Sequence, residues 1–287
     1  MKQRLVFTTS IPFIKAEKSI FKIKDNFNFE NFKVLSAKNS CCFSAEIIVE
    51  NISLNDEINI RKFCNDQKID INMTIPNVRF KKLLLADMDS TIIKEETFDE
   101  LSKKSKNHKK IVEITRLGME GKISFKDSFN KRVKLLGKLN NEIIEDIKFN
   151  LSFNSGAEKL INTMNNQGAF CYLVSSGLRV FTNYVCKKIN FFSHFGNKII
   201  ENSYFDGEVI DEEQKLNILN SLCKKHSLSP LEVISVGDGA NDLKMLSRSG
   251  IGISFNGKEI LRKKLKFQIN HSNLKSLLFI QGYKEIG

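Results

Sequence analysis

Residues 83–91 constrain the fold of this chain more than any other stretch. Leu83-Leu84-Leu85-Ala86 is a continuous apolar run, and Asp87-Met88-Asp89-Ser90-Thr91 follows it with no spacer. A run this short and uniformly apolar fits a strand buried on both faces. Two carboxylates two residues apart at its C-terminal end then point into the crevice where open α/β sheets bind ligands. Other polar clusters take the same place. Ser175-Ser176-Gly177 follows Cys171–Val174, and Gly237-Asp238-Gly239-Ala240-Asn241-Asp242 follows Val233–Val236. Lys215 opens a predicted helix in Asp-Glu-Glu-Gln-Lys. In a parallel sheet these strand ends share one edge, so residues far apart in sequence are predicted to meet there.

The surrounding pattern supports that class. Strands alternate with helices: Phe170–Val174 then Val180–Lys188, Val233–Val236 then Asp242–Ser247, and Ile251–Phe255 then Lys258–Lys264. Such alternation implies an α/β fold with a Rossmann-like, doubly wound, mostly parallel sheet and helices on both faces. Helical spacing between the first and second strands reads as an inserted helical cap at about 95–153. Residues 1–76 read as a small α+β unit. Its strands lie near Arg4–Thr8, Phe32–Leu35, Cys42–Val49 and Ile69–Ile75, its helix spans Asn55–Asp66, and Pro76 closes it. The basic stretch Asn77–Lys82 marks a boundary, giving expected units 1–78 and 79–287.

The residue types at the strand ends suggest their chemistry. Serine and glycine before a helix offer a hydroxyl and free backbone N–H groups to an anion, although the same pair also suits a helix N-cap. Glycines on either side of Asp238 allow close backbone approach. Carboxylates from two strand ends that face one another repel unless a hard cation sits between them. A single lysine in a lysine-rich chain, by contrast, reads on its own as a solvated side chain.

Charge says less. The chain has 45 Lys and Arg against 33 Asp and Glu, a net charge of +12. That excess suits an anionic partner such as nucleic acid, a membrane surface or a phosphorylated small molecule. Abundant Lys, Asn, Ile and Phe, with no Trp and 3 Pro, also fit a coding bias towards A and T. The basic stretch 103–110 (KKSKNHKK) is expected to be a solvated cap surface, so nucleic-acid binding is not expected. None of the 6 cysteines forms a CxxC pair, and none clusters with histidine at zinc-ligand spacing. Cys171, Cys186 and Cys223 are expected as buried free thiols in a reducing, cytoplasmic setting. No apolar run of about 18 residues suggests a membrane span. Charges at Lys15, Glu17 and Lys18 argue against a signal peptide.

Together, DMDST (87–91), SSG (175–177), Lys215 and GDGAND (237–242) resemble the haloacid dehalogenase superfamily. Longer stretches, DMDSTIIKEETFDE (87–100), MEGKISFKDSFNKRVKLL (119–136) and VGDGANDLKM (236–245), look like its phosphoserine phosphatase family. The resemblance covers roughly residues 81–280. It implies Mg²⁺-dependent hydrolysis of O-phospho-L-serine, in serine biosynthesis. Asp87 is then the nucleophile, and Asp89 is first acid and then base. The metal sits on the Asp87 carboxylate, the Asp89 backbone carbonyl and Asp238. Ser175, Ser176, Gly177 and Lys215 hold the phosphoryl group, and Asn241 and Asp242 support the metal and Lys215. Glu96 meets the substrate ammonium, Arg132 its carboxylate, and Met119 and Phe125 form an apolar lid. A related phosphatase or phosphotransferase for another small phosphorylated metabolite is the alternative.

The chain departs from that family in places. Ser176 stands where the family has glycine, which predicts a narrowed loop or a strained φ. Leu178 replaces an aromatic, and the stretch before Lys215 is short. Residues 1–76 match the length and α/β content of an amino-acid-binding (ACT-like) regulatory domain but not its residues. They are expected to be an accessory unit, through which a homodimer could form.

Overall fold

The computed structural model describes residues 2–27, 29, 32–50, 52–75, 80–119, 122–200, 204–205 and 209–285. Pro76 and the first part of the expected boundary, Asn77–Arg79, lie outside the described residues.

The N-terminal part forms a four-stranded antiparallel sheet in the order β2-β3-β1-β4. Its elements are β1 (Lys2–Thr9), α1 (Phe13–Asn26), β2 (Lys33–Val34), β3 (Phe43–Glu50), α2 (Leu54–Asp66) and β4 (Asp70–Thr74). The predicted strands and the predicted helix fall on these positions. The sequence reading assigned no element to α1, although Ala16, Ile20 and Ile23 recur at helical spacing and are buried. They pack with Ile60 and Cys64 of α2 against Leu5, Phe7, Ala45 and Ile47.

Alternation along β1 sends its other residues the opposite way. Arg4, Val6 and Thr8 face the C-terminal segment of the chain. The fully buried Arg4 guanidinium donates to the carbonyls of Phe279 (2.8 Å) and Ile280 (2.7 Å) and to the Glu46 carboxylate (2.5 Å). On β4, Asn72 exchanges two hydrogen bonds with the backbone of Gln268, and the Asp70 carboxylate accepts from the Asn270 and His271 amides and the Ser272 hydroxyl. Polar side chains here supply the pairing that a continuous sheet would otherwise give.

The larger sheet has six parallel strands in the order β12-β11-β10-β5-β6-β7. The run Leu83–Ala86 is β5, at its centre between β10 (Val233–Gly237) and β6 (Phe170–Leu178). Leu84 and Ala86 belong to one hydrophobic cluster, Leu83 and Leu85 to another, so the strand is covered on both faces, as its composition requires. After β5 come helices α3 (Thr97–Lys103), α4 (His108–Met119), α5 (Phe125–Leu136) and α6 (Asn141–Asn150), with α3 against α4 and α6, and α4 against α5. The two chain crossings into these helices pair at an Ile93–Phe153 bridge, and the Asn154 amide donates to the carbonyls of Thr91 and Ile93. The chain returns through α7 (Ala157–Asn166), β6, α8 (Arg179–Lys188) and β7 (Ser193–Asn197). A short hairpin, β8 (Ile199–Ile200) with β9 (Tyr204–Phe205), precedes α9 (Glu212–Lys225). After β10 come α10 (Leu243–Arg248), β11 (Ile251–Phe255), α11 (Glu259–Lys264), β12 (Phe267–Ile269) and α12 (Ser276–Ile280). No helix among the described residues is long and apolar enough to cross a membrane. Cys171, Cys186 and Cys223 are buried free thiols, as expected, and burial pushes the Cys171 thiol up to about 12.

The buried Arg4 allows a direct test of how the two sheets are held together. Truncation by Arg4→Ala leaves the Glu46 carboxylate buried without its partner and frees two carbonyls, a change that costs about 3–5 kcal/mol. Denaturant unfolding of the variant should show that loss, and an unchanged midpoint would assign Arg4 no such role.

Candidate active site

The predicted strand ends do converge. β5 delivers Asp87, whose backbone N–H donates to Val236 O at 3.0 Å and so prolongs the ladder with β10. Next door, β10 ends at Gly237, where an added Cβ would lie 2.4 Å from the Asp242 carboxyl, so no side chain is tolerated there. Asp238 and Asp242 thereby come against Asp87. Carboxylate oxygens of Asp87, Asp238 and Asp242 all lie within 4.8 Å of one another.

Lys215 reaches this cluster from the first turn of α9. Asp211 caps that helix, its side chain accepting from Gln214 N, and Lys215 N bonds to Asp211 O. The Lys215 ammonium is fully buried and donates to Asp87 Oδ1 and Asp242 Oδ1, each at 2.6 Å. The solvated lysine that its position alone suggests is therefore corrected: the tertiary fold closes over it. Burial alone would lower the Lys215 pKa, but Asp242 and Asp87 outweigh it and hold the ammonium charged. Asp242 has both oxygens engaged, the second by the Gly239 amide at 3.1 Å.

Asp89 sits on the side facing the helical cap. Its carboxylate accepts from Thr97 N at 2.7 Å and from the Ser175 hydroxyl at 3.3 Å. Burial, with Glu96 nearby, raises Asp89 to about 6. Burial and Asp242 raise Asp238 to about 7. Asp87 is also pushed well up, by burial and by the other carboxylates, against the pull of Lys215. Burial is the largest cause of all three shifts, and a neighbouring carboxylate adds to each. A divalent cation fits this set. All the donors are hard oxygens, and with Asp242 tied to Lys215 and Gly239, Asp87 and Asp238 are left to face it.

Ser175, Ser176 and Gly177 form the adjoining loop. The Ser175 hydroxyl also accepts from Gly177 N at 2.8 Å. Ser176 keeps a negative φ, so the strain expected from the missing glycine does not arise. Its hydroxyl instead accepts from the Asn241 amide at 3.1 Å, tying this loop to the one that follows β10. Leu178 is 2% exposed and packs into the main core.

On the cap side, Glu96 precedes α3 and accepts from the Ser90 hydroxyl at 2.7 Å. Arg132, on α5, lies 4.5 Å over the Phe98 ring, within electrostatic reach of Asp99 and Glu96. Phe125 stacks on Phe129, whose ring tilts against Phe98. The Met119 side chain lies outside what the structure describes. In the basic stretch 103–110, Lys103 pairs with Glu100 and Lys104 with Asp146, both at the surface. Sequence reasoning missed Ser90, Thr97 and Asn197. The last is 2% exposed, and its amide bonds to Ser176 O and Ile210 N. The polar stretch around Asn197 gave no signal.

A strand-end carboxylate pair, a buried lysine and a serine-lined loop thus converge beside a helical cap, a set of groups able to bind a phosphoryl group. A model of the haloacid dehalogenase-like hydrolase family matches residues 84–247. The phosphoserine phosphatase of Lactococcus lactis is 36% identical over 203 residues, 69% of this chain and 94% of that one. That of Archaeoglobus fulgidus is 35% identical over 204 residues, 69% of this chain but 59% of that one. A solved phospho-aspartyl intermediate analogue of phosphoserine phosphatase is 33% identical, covering 70% of this chain and 99% of that one at a TM-score of 0.64. A haloacid dehalogenase family hydrolase from Salmonella enterica serovar Typhi shares the fold over 98% of both chains, at a TM-score of 0.87 and 23% identity. The chain belongs to the haloacid dehalogenase-like hydrolases and, within them, to the phosphoserine phosphatase family.

The crowded carboxylates predict a stabilising cation. At a hundred times its dissociation constant, a divalent cation that binds only the folded chain adds about 2.7 kcal/mol. Melting followed against cation concentration should show the rise, and Asp238→Asn should remove most of it. An equal rise in the variant would place the cation elsewhere.

Proposed function

We propose that this chain hydrolyses O-phospho-L-serine to L-serine and inorganic phosphate, with Mg²⁺ on Asp87, the Asp89 backbone carbonyl and Asp238. One observation carries the substrate. Glu96 lies within electrostatic reach of Asp89 and Asp238 on one side and of Arg132 on the other. A carboxylate beside the aspartates, with a guanidinium on its cap side, would suit the ammonium and carboxylate of a phosphorylated amino acid. Arginine suits the second task because its planar fork pairs both carboxylate oxygens.

In this reading an oxygen of Asp87 attacks phosphorus, and the bond from phosphorus to the serine oxygen breaks. A carboxylate needs no activating base at neutral pH. Asp89 gives its proton to the departing serine oxygen. A carboxyl held near 6 carries that proton for part of the time at neutral pH, as a general acid must. Asp89 then takes a proton from water, which attacks the same phosphorus and releases phosphate and Asp87. Lys215, Ser175, Ser176 and Gly177 hold the phosphoryl oxygens, with Asn241 and Asp242 behind them. Bound Mg²⁺ supplies positive charge against the substrate dianion. Phe125, stacked on Phe129, is part of an apolar cover on the cap side. A phospho-aspartyl intermediate analogue solved for a phosphoserine phosphatase 33% identical to this chain supports an aspartyl phosphate here.

The same reading takes residues 1–78 as an accessory unit and 79–287 as the catalytic unit, with its helical cap at about 95–153. It places the protein in the cytoplasm, in the making of serine, and allows a homodimer through the accessory unit.

Two variants test the proposal. Asp87→Asn should abolish phosphate release, measured with and without Mg²⁺. Arg132→Ala should lower kcat/KM for phosphoserine by about a hundredfold, in line with the loss of a charge-paired contact. Turnover of an aryl phosphate, which has no carboxylate, should change by less than about threefold on that scale. Equal losses on both substrates would favour another small phosphorylated metabolite.

A further inference from the structure

The parallel ladder between β6 and β7 has an irregularity at the site. Val174 pairs with Phe195 and Leu178 with Asn197, so Ser175, Ser176 and Gly177 together stand opposite Gly196 alone. The loop expected to hold the phosphoryl group is thus a bulge pushed out of a strand. Gly196 lets helix α8 close beneath it, since an added Cβ there would lie 2.5 Å from Thr182 Oγ1. A bulge disrupts the ladder and takes backbone groups away from their partners. A buried backbone carbonyl left without a partner carries a desolvation cost, so each one needs a substitute.

Asn197 supplies that substitute. Its side-chain amide donates to Ser176 O at 2.7 Å, replacing the ladder bond that the bulge gives up. Its side-chain carbonyl accepts from Ile210 N at 2.9 Å. Ile210 immediately precedes Asp211, the cap of α9, and Lys215 N bonds to Asp211 O. One buried side chain therefore joins the phosphoryl loop to the helix that brings in Lys215. Neither end of that amide touches the reacting carboxylates.

We propose that Asn197 is a positioning residue for phosphoryl binding, a clamp that fixes the Ser175–Gly177 bulge relative to the start of α9 and so sets the spacing between the loop and Lys215. This rests on the reading of the loop and Lys215 as the phosphoryl site, but not on the identity of the substrate.

The two ends of the clamp can be separated. Asn197→Asp keeps an acceptor for Ile210 N but loses the donor to Ser176 O. Asn197→Ser is too short for either. Inorganic phosphate is the probe, measured as a competitive inhibitor in the presence of Mg²⁺. Both variants should raise its inhibition constant by about tenfold, the scale of one hydrogen bond that is no longer made. Preference between phosphoserine and an aryl phosphate should stay as it was, because only the shared phosphoryl group is affected. Hydrogen exchange at the Ile210 amide should accelerate in Asn197→Ser and stay slow in Asn197→Asp. In the unaltered protein, saturating phosphate should slow that same amide, a measurement that needs no variant to fold. Folded variants with unchanged phosphate inhibition, or an Ile210 amide indifferent to phosphate, would overturn the clamp. If phosphoserine is not turned over yet phosphate inhibition of aryl phosphate turnover weakens as described, the substrate reading fails and the clamp stands.

Discussion

Burying one lysine among aspartates is the arrangement on which the rest of this molecule depends. Lys215 is fully enclosed and would lose its charge there without Asp87 and Asp242 at 2.6 Å. Burial pushes Asp87 up in turn, and the charge of the lysine opposes that shift. Ion pairs removed from water rarely gain more than their desolvation costs, so the network is poor evidence of stability and better evidence of use. Two strands, β5 and β10, and one helix, α9, must be held in fixed relation for it to exist. The central position of β5, packed on both faces, provides that rigidity.

Local irregularities at the edge of the sheet then do what regular structure could not. A strand that ran on unbroken past Val174 would keep the backbone groups on its β7 edge in the ladder. Pushing Ser175–Gly177 out brings the Ser175 hydroxyl to Asp89 and that of Ser176 to Asn241 but leaves Ser176 O to be satisfied, which Asn197 does. The tightness at Gly237 has the same logic: leaving out a side chain lets Asp242 come close enough to share Lys215 with Asp87. Each feature gives up ordinary packing or pairing so that charged groups converge.

How much of this was legible in the sequence varied with how local the cause was. Asp87, Asp89 and Asp238 could be read directly, because an apolar run followed at once by carboxylates is a property of a few adjacent residues. The α/β class followed from the alternation of elements. Lys215 and Arg132 could not be picked out from their surroundings, since burial and partners come from distant segments, and only resemblance to a known family singled them out. Asn197 stayed hidden because β7 has no apolar run and its amide acts across the ladder. In the N-terminal sheet, α1 went unassigned although its apolar positions had the right period, because charges between them mask the pattern. The departure at Ser176 was visible, but the strained φ it suggested does not occur. A side chain there meets Asn241 rather than crowding the loop, which needed the three-dimensional path of the backbone after β10.

The net charge of +12 looked like the feature most in need of a partner. The structure divides that charge into unequal parts. Lys103 and Lys104 sit at the surface in ion pairs with Glu100 and Asp146, the kind of contact worth little in water. Arg4 is buried, but its guanidinium is spent on carbonyls and Glu46 at the seam between the sheets. Lys215, one positive charge of 45, is fully buried against Asp87 and Asp242, and a charge there acts strongly because water is kept from it. In a chain like this the charge that decides chemistry is set by burial and by which carboxylates it faces, so the formal total describes the solvated surface and says little about the site.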